Sequence, residues 1–300
     1  MRTKRYPFVY VDAFTSEPFA GNPCAVITDA AGLTDEQMQN FAREANQPES
    51  AFVLPSDVAD FCVRYFTPRK ELPFAGHPTI ATAFALAQEG RIPLQEPVTT
   101  IDLEFGIGVL PVEIHVEDGV PVHVVMTQQT PSFRMFFTPD GVAPYFGLAA
   151  ADLRDDCLPQ VVSTGAPFLI VPVGDVETLG KVELDRDGLV ELFEQIDVDA
   201  AFLFSIGGFA PDADTHARLF DPLNAIEDPF TGSATGAMGA YAVRYGLHPG
   251  PTLIAEQGHF VQRPGRGIVE IVGLPHGIQA VKLGGTAVKV VEGAFLAAGG

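Results

Sequence analysis

Three hundred residues, 47% of them hydrophobic, suffice for one large core or for two of ordinary size. Acidic residues outnumber basic ones 38 to 18, and the resulting net charge of −20 repels nucleic acid and anionic lipid, so neither is expected as a partner. The three cysteines, Cys24, Cys62 and Cys157, are too few and too scattered for a disulfide framework or a zinc site. No stretch has the apolar length of a membrane span and no leader pattern opens the chain, which leads to an expectation of a cytoplasmic protein.

In chain order, Tyr6 to Phe14 and Ala25 to Thr28 read as apolar strands about a Gly21-Asn22-Pro23 turn. Thr34 followed by Gln37 is a capping box. Met38, Phe41, Ala42 and Ala45 then give a helix its buried stripe, and Pro48 stops continuation beyond Asn46. Strands are expected at Ser50 to Leu54 and Phe61 to Phe66, a helix at Thr79 to Gln88, and a hairpin from Val98 to Leu103 and Gly108 to Ile114. The Pro-, Gly- and Phe-rich stretch from Glu117 to Asp152 reads as a crossing between halves. Beyond it come strands near Val161 and at Phe168 to Val173, then a helix from about Gly188 to Gln195. Strands at Ala200 to Ser205 and His216 to Phe220, a helix from about Ser233 to Tyr245, and strands through Val290 complete the pattern. Mixed strands with one long helix per half predict an α+β fold of two similar domains, residues 1–117 joined by 284–300, and residues 118–283.

The halves share a phrase. Arg64-Tyr65-Phe66-Thr67-Pro68 and Glu71-Leu72-Pro73-Phe74-Ala75-Gly76 return as Arg218-Leu219-Phe220-Asp221-Pro222 and Glu227-Asp228-Pro229-Phe230-Thr231-Gly232, with a two-residue insertion between the parts. Each copy ends on a glycine that opens an alanine-rich helix. A glycine there lets the backbone approach a ligand, and the first free helix amides favour an anion. Gly76, with His77 behind it, makes one such mouth; Thr231, Gly232 and Ser233 make the other. His77 suits a carboxylate contact or a proton near neutral pH, though a capping imidazole has the same signature. Asp228 stands where the first copy has Leu72. A carboxylate that the repeat does not need for its own construction points to chemistry, where a turn aspartate would otherwise suffice. Glu49 precedes an apolar strand; alone it reads as a surface acid, but at the edge of such a strand a carboxylate can move protons to and from carbon.

No cysteine lies at either mouth, as a thiol-based racemase would require. A Ser233–His77–Asp228 triad is allowed by residue type, yet no Gly-x-Ser-x-Gly elbow accompanies it. Metal-ligand spacings and a dinucleotide-binding glycine fingerprint are absent from the sequence, leaving cofactor-free proton transfer.

Taken together, Val11-Asp12-Ala13-Phe14-Thr15, Phe19-Ala20-Gly21-Asn22-Pro23, Asn46-Gln47-Pro48-Glu49-Ser50-Ala51-Phe52, Pro73 to Thr79 and Glu227 to Ala234 resemble the PhzF family of phenazine-biosynthesis-like isomerases, nearly end to end. The resemblance implies a diaminopimelate epimerase-like fold, two domains each with a curved sheet or barrel around a helix, an active site between them, and a homodimer. It implies isomerisation of a small carboxylated substrate of the trans-2,3-dihydro-3-hydroxyanthranilate kind without a cofactor. Glu49 corresponds to the family's proton-moving glutamate. His77 and Asp228 correspond to its substrate-holding pair, and Gly76, Gly232 and Ser233 to its cradle. Two departures bear on substrate choice: Pro48 stands where members often carry Ser, and Gln262 and Gly265 replace a usual Gly and Ser. A racemase or lyase on the same scaffold, and a binding protein without catalysis, are the alternatives.

Overall fold

The computed structural model describes residues 3–298. It is an α+β structure that divides into two compact units, 1–126 with 284–300, and 127–283. Residues 1, 2, 299 and 300, part of the expected first domain, lie outside the described residues.

The first unit begins with β1 (Thr3–Ala13) and β2 (Asn22–Ile27), antiparallel about the expected turn, and α1 (Asp35–Ala45) follows. Thr34 and Gln37 bond each other's backbone as a capping box, and Asn46 closes the helix in the left-handed conformation. Next come β3 (Glu49–Leu54), β4 (Phe61–Phe66), a two-residue β5 (Glu71–Leu72), α2 (Gly76–Gln88), β6 (Val98–Phe105), β7 (Gly108–Glu117) and β8 (Val120–Gln128). The unit continues past residue 117 because β8 folds back antiparallel on β7. Its remaining strand is the chain's last, Ala287–Ala298, antiparallel to β1. In α2 every residue from His77 to Ala87 is buried, which its alanines allow by letting backbone approach on all sides. The helix packs on β1, β2, β3 and β7, while Met38, Phe41 and Ala42 of α1 cover Ile27, Phe52 and Phe66.

The second unit contains β9 (Ser132–Phe136), α3 (Pro139–Val142), β10 (Gln160–Ser163), β11 (Pro167–Pro172), α4 (Val176–Gly180) and α5 (Arg186–Ile196). The stretch read as a crossing thus holds two strands and three short helical turns. After these come β12 (Ala201–Ile206), β13 (Thr215–Asp221), β14 (Ile226–Asp228), α6 (Gly232–Arg244), β15 (Thr252–Gln257), β16 (Gly265–Leu274) and β17 (Gly277–Gly285). Helix α6 is buried from Ala234 to Val243 and packs on β10, β11, β12 and β16. Leu189, Phe193 and Ile196 of α5 pack with Leu169, Val171, Leu203 and Phe220.

The repeat extends well beyond the shared phrase. Strand β4 lies antiparallel to β3 and β5 and parallel to β6; β13 lies antiparallel to β12 and β14 and parallel to β15. With Arg64 set on Arg218, Phe66 faces Ser50 as Phe220 faces Ala201, and Cys62 faces Glu104 as His216 faces Glu256. No helix among the described residues is long and apolar enough to cross a membrane.

Candidate active site

Glu49 is the first residue of β3, beside Cys24 of the parallel strand β2. His77 sits in the first turn of α2, and its Nε2 lies 3.3 Å from Glu49 Oε2. The imidazole is almost wholly buried, whereas the carboxylate keeps 20% of its surface exposed. Burial pushes His77 down to about 3, opposed only by its hydrogen bond to the Pro23 backbone. Nε2 itself makes no aligned hydrogen bond. A neutral ring protonated on Nδ1 presents a lone pair on Nε2 towards Glu49. A carboxyl that has taken up a proton finds in Nε2 an acceptor already in place.

Cys24 is fully buried, and burial, then the charge of Glu49, raises its thiol well above the ordinary value. It stays a thiol and has no thiolate to offer. The start of α2 is braced from beneath. Thr79 Oγ1 donates to the Ala75 carbonyl at 2.7 Å, and the buried Tyr65 hydroxyl lies 2.9 Å from Thr79 Oγ1, which directs the phenol proton to the threonine. Ala75 gives no side-chain cap and the first turn holds no acid, so the turn's free amides keep their capacity for an anion.

In the second unit, Asp228 ends β14 and the Thr231 hydroxyl donates to its Oδ2. Thr231 occupies the N-cap position of α6 but does not cap it, its hydroxyl being committed to the aspartate. Gly232 and Ser233 open the helix. Gln128 Nε2 donates to the Gly232 carbonyl at 3.0 Å, Thr164 Oγ1 donates to Gln128 Oε1 at 2.7 Å, and the same hydroxyl lies 3.2 Å from the Ser233 carbonyl. This first turn is anchored through its carbonyls and leaves the amide end open.

Glu49, Gly76 and His77 thus gather in the first unit, and Asp228, Thr231, Gly232 and Ser233 in the second. Sequence reasoning missed the supporting groups: the Pro23 backbone, Tyr65, Gln128 and Thr164. Among the described residues no three His, Cys, Asp or Glu side chains gather as metal ligands would.

The profile of the phenazine biosynthesis-like protein family, PhzC-PhzF, matches residues 11–293. An uncharacterised isomerase of Clostridium acetobutylicum is 34% identical, over 96% of this chain and 97% of that protein. The trans-2,3-dihydro-3-hydroxyanthranilate isomerase of Pseudomonas aeruginosa is 33% identical, over 95% of this chain and 98% of its own length. Among solved structures, a PhzF-family phenazine biosynthesis protein of Bacillus anthracis superposes with a TM-score of 0.89 at 32% identity, covering 98% of this chain and all of that one. The fold, the repeated glycine-led helices and these matches agree: the chain is an isomerase and belongs to the PhzF family of phenazine biosynthesis-like proteins.

Proposed function

We propose that this isomerase moves a proton between carbons of a small carboxylated substrate, of the dihydrohydroxyanthranilate class, with Glu49 as the group that takes the proton and returns it. The observation that carries the reading is the approach of Glu49 Oε2 to Nε2 of a histidine kept neutral by burial. Abstraction from carbon needs a carboxylate that is reachable yet poorly solvated, and Glu49 is partly exposed beside a buried ring. Once protonated, the carboxyl donates to His77 Nε2 and so holds its proton ready for delivery to the second carbon. No other proton carrier is required, and the residue ends the cycle as it began.

The helix amides at Gly76 favour the substrate's negative charge. Asp228, Thr231, Gly232 and Ser233 are proposed as the substrate-holding set of the second unit. A cofactor-free, cytoplasmic homodimer is the accompanying expectation, supported by the family resemblance.

The test is incubation of the protein with trans-2,3-dihydro-3-hydroxyanthranilate in D₂O beside Glu49→Gln, with carbon-bound deuterium followed by NMR. Isomerised product together with loss of about 10²–10⁴-fold in rate in the variant is the expected result. Normal turnover by Glu49→Gln would remove the mechanism. Deuterium exchange without isomerisation would point to an epimerase, and neither activity would discard this substrate.

A further inference from the structure

Each half of the repeat carries a polar set whose counterparts in the other half cannot do the same work. The register sets Glu49 against Ala200 and, at the helix mouths, His77 against Ser233. In the opposite sense it sets Asp228 against Leu72 and Thr231 against Ala75. One further position follows this second pattern. Cys62 pairs with Glu104 and His216 with Glu256, so the next residues along β6 and β15, Phe105 and Gln257, are equivalent.

Phe105 does an apolar job. It is buried and meets the rings of Phe74 and Tyr65 at centroid distances of 5.2 and 5.9 Å. Gln257 is only 1% exposed and its side-chain hydrogen bonds all run to the segment that bears Asp228. Its Nε2 donates to the Asp228 carbonyl at 2.7 Å, and its Oε1 accepts from the Thr231 amide at 3.0 Å. The amide's orientation is dictated, since a carbonyl must meet the NH₂ and an N–H must meet the oxygen. One side chain therefore ties both ends of the turn Asp228 to Thr231, leaving the Thr231 hydroxyl to donate to the Asp228 carboxylate.

The neighbouring glycine serves the same segment. Gly258 has φ +90°, and a Cβ there would fall 2.5 Å from the Pro229 carbonyl oxygen and 2.2 Å from that of Arg263. Its counterpart Gly106 approaches Pro73 in the same way, with 3.1 Å to the Pro73 carbonyl oxygen. The close approach is common to both halves. The glutamine is specific to the half that carries the aspartate.

We propose that Gln257 is a positioning residue that sets the Asp228 carboxylate through the Asp228–Thr231 turn, a role that rests on the reading of Asp228 as a substrate-holding group. Burying a primary amide costs stability unless every polar atom is satisfied, so a glutamine used only as filler would be a poor choice beside the phenylalanine of the other half. Its exchange for phenylalanine goes together with the exchange of Asp228 for leucine.

The experiment uses the full chain with Gln257→Leu, Gln257→Glu, Asp228→Asn and the double variant Gln257→Leu/Asp228→Asn. Selective ¹³C labelling follows the Asp228 carboxyl carbon, identified by its disappearance in Asp228→Asn, and kcat and KM are measured with trans-2,3-dihydro-3-hydroxyanthranilate. The expected results are a displaced Asp228 resonance in Gln257→Leu with the other aspartate carboxyl signals unmoved, and a fall in kcat/KM of about a hundredfold. Adding Gln257→Leu to Asp228→Asn should then cost nothing further. A penalty of the same size in both backgrounds, or an unmoved Asp228 resonance, overturns the proposal. Should Gln257→Leu fail to fold, Gln257→Glu decides: it keeps the acceptor for Thr231 and loses the donor to Asp228. If the parent protein leaves this substrate untouched, the proposed reaction falls, while the Asp228 resonance still settles the place of Gln257.

Discussion

Leu72 and Asp228 occupy one position in two copies of the same turn: Leu72 pairs with Tyr65, and Asp228 with Leu219, each partner being the residue after the arginine of its half. The first copy builds the turn without a carboxylate. Asp228→Leu is therefore expected to fold, with a melting temperature within a few degrees of the parent. Its KM for a carboxylated substrate should rise, or its turnover vanish. Thermal unfolding followed by circular dichroism, beside steady-state kinetics, checks both halves of the statement.

Acid should destabilise the protein through the buried His77 and His216 and the half-buried His123. Burial foremost holds His77 and His216 at about 3 and His123 at about 4, against an ordinary value of 6.5. The unfolded chain takes up these protons near pH 6.5 and the folded one does not. Their contribution is complete above 6.5 and is lost as pH falls from 6.5 towards 3–4, by up to about 1.4 kcal/mol per pH unit for each ring. Urea midpoints measured between pH 7.5 and 5 should fall with pH. His77→Gln should flatten that slope, whatever it does to the absolute midpoint.

Cys24 stands beside Glu49 but stays a thiol. Cys24→Ala is predicted to retain kcat within about threefold and to lose on the order of 1 kcal/mol of stability from the emptied volume. The parent's activity should survive iodoacetamide at pH 8. Alkylation of Cys24 with concurrent inactivation would show that the thiol is reachable and ionised after all.

The halves also share an arginine bracket. Arg64 grips Glu71 through Nε and Nη2 at 2.6 and 2.7 Å, and Arg218 grips Glu227 at 2.8 and 2.7 Å. Arg64 lies over Phe66, and Arg218 over Phe220 and Phe260. The second bracket is the more deeply set, with side-chain exposures of 12% and 19% against 25% and 42%, and Arg218 also donates to the Leu179 carbonyl at 2.6 Å. Arg218→Ala should cost about 2–4 kcal/mol, Arg64→Ala about 1 kcal/mol or less, in chemical denaturation.

Much of this was legible in the residues. Thr34 and Gln37 announced their capping box, and the paired glycines at 76 and 232 announced two alanine-rich helices, although the first was expected only from Thr79 and begins at Gly76. Strands β5 and β14 were not, because two or three residues show no periodicity. The tie from Gln257 to Asp228 and Thr231 spans 29 and 26 positions of sequence, so no local pattern records it. Aligning the two halves through their parallel strands would have exposed it, by setting a glutamine against a phenylalanine. Likewise, Pro23 read only as a turn former, since its backbone acquires meaning when α2 brings His77 to it.

The pairing of β1 with the strand Ala287–Ala298 has a consequence for how the molecule is made. Thr3 lies opposite Ala298, so β1, already paired with β2 on one side, gains its second neighbour only when the strand Ala287–Ala298 is made. The second unit, continuous from 127 to 283, needs no such wait and can complete itself during synthesis. Until then the nascent first unit shows water an unpaired edge along β1, the kind of surface that recruits strands from other chains. The same adjacency puts Thr3 and Ala298 within reach of a short linker. A circular permutant with a short linker across them, opened at an exposed turn such as Asp118-Gly119, would turn this long-range contact into a local one.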